Sequence, residues 1–134
     1  MGGFILVLDT HIWVWSQAEP NRIPSGLRRE LTELRDSIAI SVISIWETLM
    51  LIERGRIAVE GDAEDAVRGW IDANDTRVLP LDEETAFLAR SLPFVHGDPA
   101  DRFIAATAVR HGCPLATLDT HLRGLPFLDV RPIA

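Results

Sequence analysis

Phe4-Ile5-Leu6-Val7-Leu8-Asp9-Thr10-His11 is the stretch that decides the fold. Its first five residues are apolar without alternation, as expected of a strand covered on both faces by helices in a parallel sheet. The run stops abruptly at Asp9. A carboxylate is thereby set at the carboxyl end of a buried strand, where open α/β sheets place their ligands.

Outward from that strand, helical and strand patterns alternate. Thr10 to Ser16 carries Ile12, Trp13 and Trp15 as a short helix, and Pro20 and Pro24 break the chain. Ser25 is expected to cap a second helix, with Leu27, Leu31 and Leu34 on its dry side and Arg28, Arg29, Glu30 and Glu33 on the wet one. Ile38 to Ser41 reads as a second strand, followed by a helix from about Ile43 to Arg54 that stops at Gly55. Ala63 to Ala73 is a further helix, Arg77 to Leu79 a third strand, and Glu83 to Ser91 a helix again. Asp98-Pro99 opens a helix running to Gly112, with proline at the first helical position. Leu115 to Leu118 and a stretch near Phe127 to Val130 supply two last strands. The economical reading is one α/β domain over residues 1–134, with a central, mostly parallel sheet between helical layers.

A chain of 134 residues buries roughly two-thirds of its unfolded surface, so it folds without a disulfide framework or structural metal. The lone Cys113 suits a reducing compartment. The longest apolar run is far short of the roughly 20 residues that span a bilayer. Met1-Gly2-Gly3-Phe4 lacks the basic flank and cleavage site of a signal peptide, and Leu6 stands where a myristoylation motif needs Ser or Thr. A cytoplasmic location is expected, with no membrane partner. The formal charge of -7 argues against broad adhesion to nucleic acid, though not against a local basic track. All 13 basic residues are arginine, which suits phosphate recognition but is better explained, with lysine and tyrosine both absent, by the compositional bias of a GC-rich genome.

Most of the 20 acidic residues fall on wet helix faces or loops. Asp9, Glu47, Asp101 and Asp119 do not. Asp9 and Asp119 each follow a buried strand directly. Glu47 has Met50 and Leu51 as its i+3 and i+4 neighbours, and Asp101 has Ile104 and Ala105, so both start helices that look buried. Each also has a purely structural reading: Asp9 and Asp119 as N-caps, Ser44 with Glu47 as a capping box, and Asp98 with Asp101 as an N-cap and N3 pair.

Jointly, all four are expected at or just after carboxyl ends of parallel strands, which share one edge of the sheet. Two carboxylates about 5 Å apart repel by roughly 3 kcal/mol at an effective dielectric of about 20, so four together call for protons or a cation. An all-oxygen site favours Mg²⁺ or Mn²⁺ over zinc. Such an ion activates water and neutralises charge on a phosphate, which suggests phosphodiester hydrolysis. No credible Ser/His/Asp or Cys/His arrangement, Walker loop or Gly-rich dinucleotide turn competes.

The blocks Leu8-Asp9-Thr10-His11, Ser44-Ile45-Trp46-Glu47, His96-Gly97-Asp98-Pro99-Ala100-Asp101-Arg102-Phe103-Ile104-Ala105-Ala106-Thr107-Ala108 and Ala116-Thr117-Leu118-Asp119 resemble PIN-domain ribonucleases, within them the toxins of bacterial VapBC-type toxin-antitoxin pairs. The resemblance spans nearly the whole chain. It implies a three-layer α/β/α PIN-like fold and Mg²⁺- or Mn²⁺-dependent endonuclease action on RNA. It further implies that Asp9, Glu47, Asp101 and Asp119 are the catalytic, metal-binding acids, that a cognate antitoxin blocks the site, and that the protein is a homodimer.

Around these residues the readings divide. Asp98 is a fifth acid near the metal or simply a cap, and Thr117 holds a metal-bound water or is an ordinary strand threonine. His11, His96 and His121 are taken as structural. Arg102 touches phosphate or pairs with a neighbouring acid. Trp13, Trp15 and Trp46 stack RNA bases or, at helical spacing among Ile and Leu, belong to core and interface. The early basic track is thin for the family. Two other functions remain in view: an RNA-processing or DNA-directed metal nuclease of the same fold, and a catalytically silent protein-interaction module whose acids only cap helices. Acids at all four positions favour an enzyme, since caps tolerate Ser, Thr or Asn equally well.

Overall fold

The structure, a computed structural model, describes residues 5–95 and 98–133. Phe4, His96 and Gly97 lie outside the described residues. The elements are β1 (Leu6–Leu8), α1 (Thr10–Ala18), α2 (Ser25–Glu33), β2 (Ile38–Ser41), α3 (Val42–Glu53), α4 (Ala63–Ala73), β3 (Arg77–Leu79), α5 (Glu83–Ser91), α6 (Pro99–Arg110), β4 (Leu115–Ala116), α7 (Thr120–Arg123) and β5 (Val130–Arg131). Single 3₁₀ turns occupy Pro20–Arg22 and Arg35–Ser37.

The sheet order is β3-β2-β1-β4-β5, and every pairing is parallel. The chain builds outward from β1 on one side and then crosses to β4 on the other. That reversal makes the β1/β4 boundary the topological switch point, where a crevice opens beyond the strand ends. β1 shows why its sequence is apolar throughout. Leu6 and Leu8 face a core shared with Ile12, Trp13, Ile23, Leu27 and Val67, whereas Val7 faces one shared with Ile104, Ala105, Ala108 and Leu122. Alternate side chains are thus buried in different layers.

Several local expectations change. Ser25 is the first residue of α2, Pro24 occupies the cap position, and no side chain caps that end. α3 begins at Val42 with Ser41 as its N-cap, accepting from the Ile43 N–H at 3.2 Å. Ser44 is therefore inside the helix, and the Ser44–Glu47 capping box does not form. Nor is α3 wrapped in protein: only Ser44 and Thr48 are buried, and Trp46 is 59% exposed. α6, by contrast, buries Ala100, Ile104, Ala105, Ala106, Thr107 and Ala108. It ends at Arg110, with Gly112 beyond it at φ +64°, a conformation suited to glycine.

The last strand lies later than expected, at Val130–Arg131, because the chain after Pro126 makes a turn in which the Leu128 N–H bonds Leu125 O at 3.2 Å. β4 is also shorter than expected, although the Thr117 N–H still pairs with Arg131 O at 3.0 Å. Among the described residues, no helix is long and apolar enough to cross a membrane.

Candidate functional site

Asp9, Glu47, Asp98, Asp101 and Asp119 line one cavity of about 320 Å³ at the carboxyl edge of the sheet, together with His11, Ile12, Trp15 and Leu118. Four chain segments meet there for separate local reasons. Asp9 directly follows β1, and its N–H is tied to Ala116 O of β4 at 2.9 Å. Asp119 follows β4 and opens α7. Glu47 lies in the second turn of α3, which rises from the same edge as soon as β2 ends.

Asp101 arrives by a route that the expectation of a preceding strand did not include, since α6 follows α5. A helix leading into a parallel strand runs against it. Its N-terminus therefore stands at the carboxyl edge, and that orientation brings Asp98 and Asp101 to the other acids.

The capping readings hold for three of the five. Asp9 accepts from the Thr10 N–H at 2.7 Å, Asp98 from the Ala100 N–H at 3.0 Å, and Asp119 from the His121 and Leu122 N–H groups at 2.8 and 3.1 Å. Glu47 and Asp101 cap nothing. Glu47 Oε1 instead accepts a 2.5 Å hydrogen bond from Thr10 Oγ1, which also lies 2.9 Å from Ser44 Oγ. Among the described residues, Asp101 is the one acid of the five whose carboxylate accepts no hydrogen bond.

Two hydroxyls organise the rest. Thr117 Oγ1 donates to Asp9 Oδ2 at 2.7 Å and accepts from the Asp119 N–H at 3.1 Å, so a single side chain connects the two strand-end acids. Thr10, which the sequence did not single out, does the same for α1 and α3 through Ser44 and Glu47. The available signal was polarity out of place: Thr10, Ser44 and Thr48 interrupt apolar windows and are buried.

Crowding raises the proton affinity of the acids. Burial, followed by the charges of Asp98, Asp9, Asp119 and Glu47, pushes the Asp101 carboxyl up to about 7. Asp9, 7% exposed, is raised by burial against the opposing effects of Thr117, His11 and the Thr10 amide. Glu47 is raised by burial and by Asp9 and Asp98, against its hydrogen bond from Thr10. Among the described residues, none of the five has an arginine partner.

The donor set is carboxylate oxygen, the chemistry of a hard divalent ion, and its unneutralised charge calls for one. Among the described residues, however, no three acid, imidazole or thiol groups already stand close enough together to hold an ion. One oxygen of Asp98, Asp119 and Glu47, and both of Asp9, accept hydrogen bonds from backbone N–H groups or threonine hydroxyls.

The neighbours sort as follows. Arg102 makes no ion pair with the acids; its Nε donates to Ala89 O at 3.0 Å and its guanidinium lies 4.9 Å from the Phe94 ring centre. Trp13 is buried edge-on to Trp70. Trp15 lines the acidic cavity, with the Arg22 guanidinium 4.6 Å above its ring, and Trp46 faces solvent. A larger cavity, about 680 Å³, lies between α1, α2 and the α4–β3 turn. Its acids, Asp36 and Asp75, are exposed, so it lacks the crowding that marks the smaller site.

Comparisons with known proteins bear on the family and the fold. Residues 6–128 match the PIN domain. The chain is 36% identical to Ribonuclease VapC22 of Mycobacterium tuberculosis, over 88% of this chain and 89% of that one. Its fold is similar to that in the DNA-bound VapBC structure from Salmonella typhimurium, with a TM-score of 0.74, 18% identity and 96% and 97% of the two chains covered. The VapBC2 structure from Rickettsia felis, bound to a promoter DNA fragment, gives a TM-score of 0.67 at 20% identity, covering 95% and 97%.

Proposed function

The chain belongs to the PIN-domain family, and from that premise we propose that it is a Mg²⁺- or Mn²⁺-dependent endoribonuclease, the toxin of a type II toxin-antitoxin pair, acting as one domain over residues 1–134. The observation that carries the reading is the meeting of Asp9, Glu47, Asp98, Asp101 and Asp119 in a cavity with no arginine among its described lining residues.

In this proposal Asp9, Glu47, Asp101 and Asp119 hold the ion. When bound, it lowers the pKa of a water and neutralises charge on the attacked phosphate. The protein's own part is positional. Thr117 and the Thr10 amide fix both Asp9 oxygens, Thr10 Oγ1 aims Glu47, and the N-terminus of α7 orients Asp119. Asp101, whose carboxylate accepts no hydrogen bond among the described residues, orients the attacking water. Attack forms one P–O bond, breaks the opposite one, and leaves the departing ribose oxygen to take a proton. Asp98 supports the charge of the site from its cap position.

Helix capping by itself, the silent-module reading, leaves Glu47 and Asp101 without a reason. A cytoplasmic location, an RNA substrate and a cognate antitoxin are parts of the same proposal. The antitoxin is supported by the similarity to toxin chains crystallised in VapBC complexes. A homodimer is supported by α3, which presents Val42 and Trp46 to solvent one helical turn apart, 37% and 59% exposed.

The test is cleavage of total RNA in EDTA, Mg²⁺ or Mn²⁺ by the wild type beside Asp101→Asn. Cutting that requires metal and is lost in the variant supports the proposal. A folded, antitoxin-free wild type that cuts under no condition overturns it.

A further inference from the structure

Beyond the acids lies a second recess. It has a volume of about 260 Å³ and is lined by Phe94, Val95, Arg102, His121, Leu122 and Leu125, and it shares Asp98, Asp101 and Asp119 with the cavity already described. The three acids thus stand between two compartments. One offers Trp15 and His11, whose rings are 5.8 Å apart, and the other Phe94 and Arg102.

This second compartment is unlike the first. Its floor is apolar, with Leu122 and Leu125 at 3% and 6% exposure. Its aromatic wall is braced, since Phe94 packs edge-on against Phe127 with ring centres 5.2 Å apart. Its one guanidinium is anchored: Arg102 Nε is committed to Ala89 O, and the planar group lies over Phe94. The Nη edge is therefore what Arg102 has left for a ligand. A flat, apolar-faced group with acceptors on its rim matches such a recess, and a nucleobase is that group.

We propose that the recess is a nucleobase subsite, holding the base next to the phosphate at the acids; this rests on the endoribonuclease reading. Continuity supplies the connection, because a strand with one phosphate at Asp101 and Asp119 has its adjacent nucleotides within reach of the compartments on either side. The apolar floor takes the base face, and Arg102 reads its edge. Guanine is the expected base, as its O6 and N7 present a pair of acceptors to a guanidinium fork. Arg102 and Phe94 are in this view specificity residues, while the acids carry the chemistry.

The experiment sequences the cut ends of a random-sequence RNA pool cleaved in Mg²⁺ by the wild type, Arg102→Gln and Phe94→Leu. Arg102→Gln keeps a donor for Ala89 O, and circular dichroism checks that each variant is folded. The expected wild-type result is a guanine preference of about fivefold or more at one position flanking the cut. Both variants should flatten that position while leaving preferences elsewhere in place. A wild type without a flanking preference, or variants that keep it, overturns the subsite while leaving the nuclease reading intact. Absence of any cutting by the wild type removes the nuclease reading and the subsite with it.

Discussion

Thr117 Oγ1 donates a 2.7 Å hydrogen bond to Asp9 Oδ2 across 108 residues of chain, from the end of β4 to the end of β1. Register explains the meeting. Leu8 pairs with Ala116 in the sheet, so the residues that follow stand side by side where the strands end. The same hydroxyl receives the Asp119 N–H at 3.1 Å, and it thereby relates two acids of the site to each other.

Thr117→Val keeps the shape and removes that hydroxyl. Asp9 loses the hydrogen bond that counters its burial, so metal affinity and cleavage are expected to fall by about 10- to 100-fold. Thr117→Ser should restore most of both. Titration of cleavage against Mg²⁺ checks this, and equal activity in all three proteins would remove Thr117 from the positioning of Asp9.

Asp101→Asn is expected to move activity and stability in opposite directions. Cleavage should drop by at least about 100-fold. Without metal at about pH 8, the melting temperature should rise, since the substitution removes a carboxylate that burial and four neighbouring acids disfavour. A fall in both quantities would mark Asp101 as structural.

The pH dependence of stability follows from the direction of these shifts. Asp9, Glu47 and Asp101 are all raised in the fold, so the folded chain keeps protons that the unfolded chain has released. Their contribution to stability is fully present below the usual carboxylate range and is lost as pH rises, through about 7 for Asp101. In EDTA the melting temperature should therefore decline between about pH 5 and 8, with Mg²⁺ opposing the decline. A melting temperature that climbs across this interval, with and without Mg²⁺, contradicts the crowded-acid picture.

Trp46 tests the dimer. It is 59% exposed on α3, with Val42 one turn before it on the same face. Trp46→Glu is expected to weaken self-association by at least about 30-fold, because buried tryptophans dominate interfaces. Light scattering across a concentration series reads this directly, and a wild type that stays monomeric at every concentration ends the homodimer proposal.

Much of this was legible before any coordinates. The unbroken apolar run of β1, the stop at Asp9, and Asp98-Pro99 before α6 are local signals, and a local signal survives without its tertiary context. Ser25 and the Ser44–Glu47 pair misled for the same reason: a capping residue can be recognised in a sequence, yet the helix start is chosen by packing, and here β2 runs directly into α3. The expectation that α3 is buried failed because an apolar composition does not say which faces of a helix the rest of the domain covers, and Val42 and Trp46 are left exposed.

By itself the sequence determined that β1 is buried on both faces, that the sheet is parallel, and which four acids lie outside the ordinary wet positions, since periodicity and neighbouring residue types carry that information. Only the tertiary structure decided that Asp101 arrives on a helix running against its strand, that Thr10 and Thr117 hold Glu47 and Asp9, and that the acids separate two recesses. Those facts depend on strand register and helix direction. Register and direction are set by packing between segments far apart in the chain, so no local window contains them.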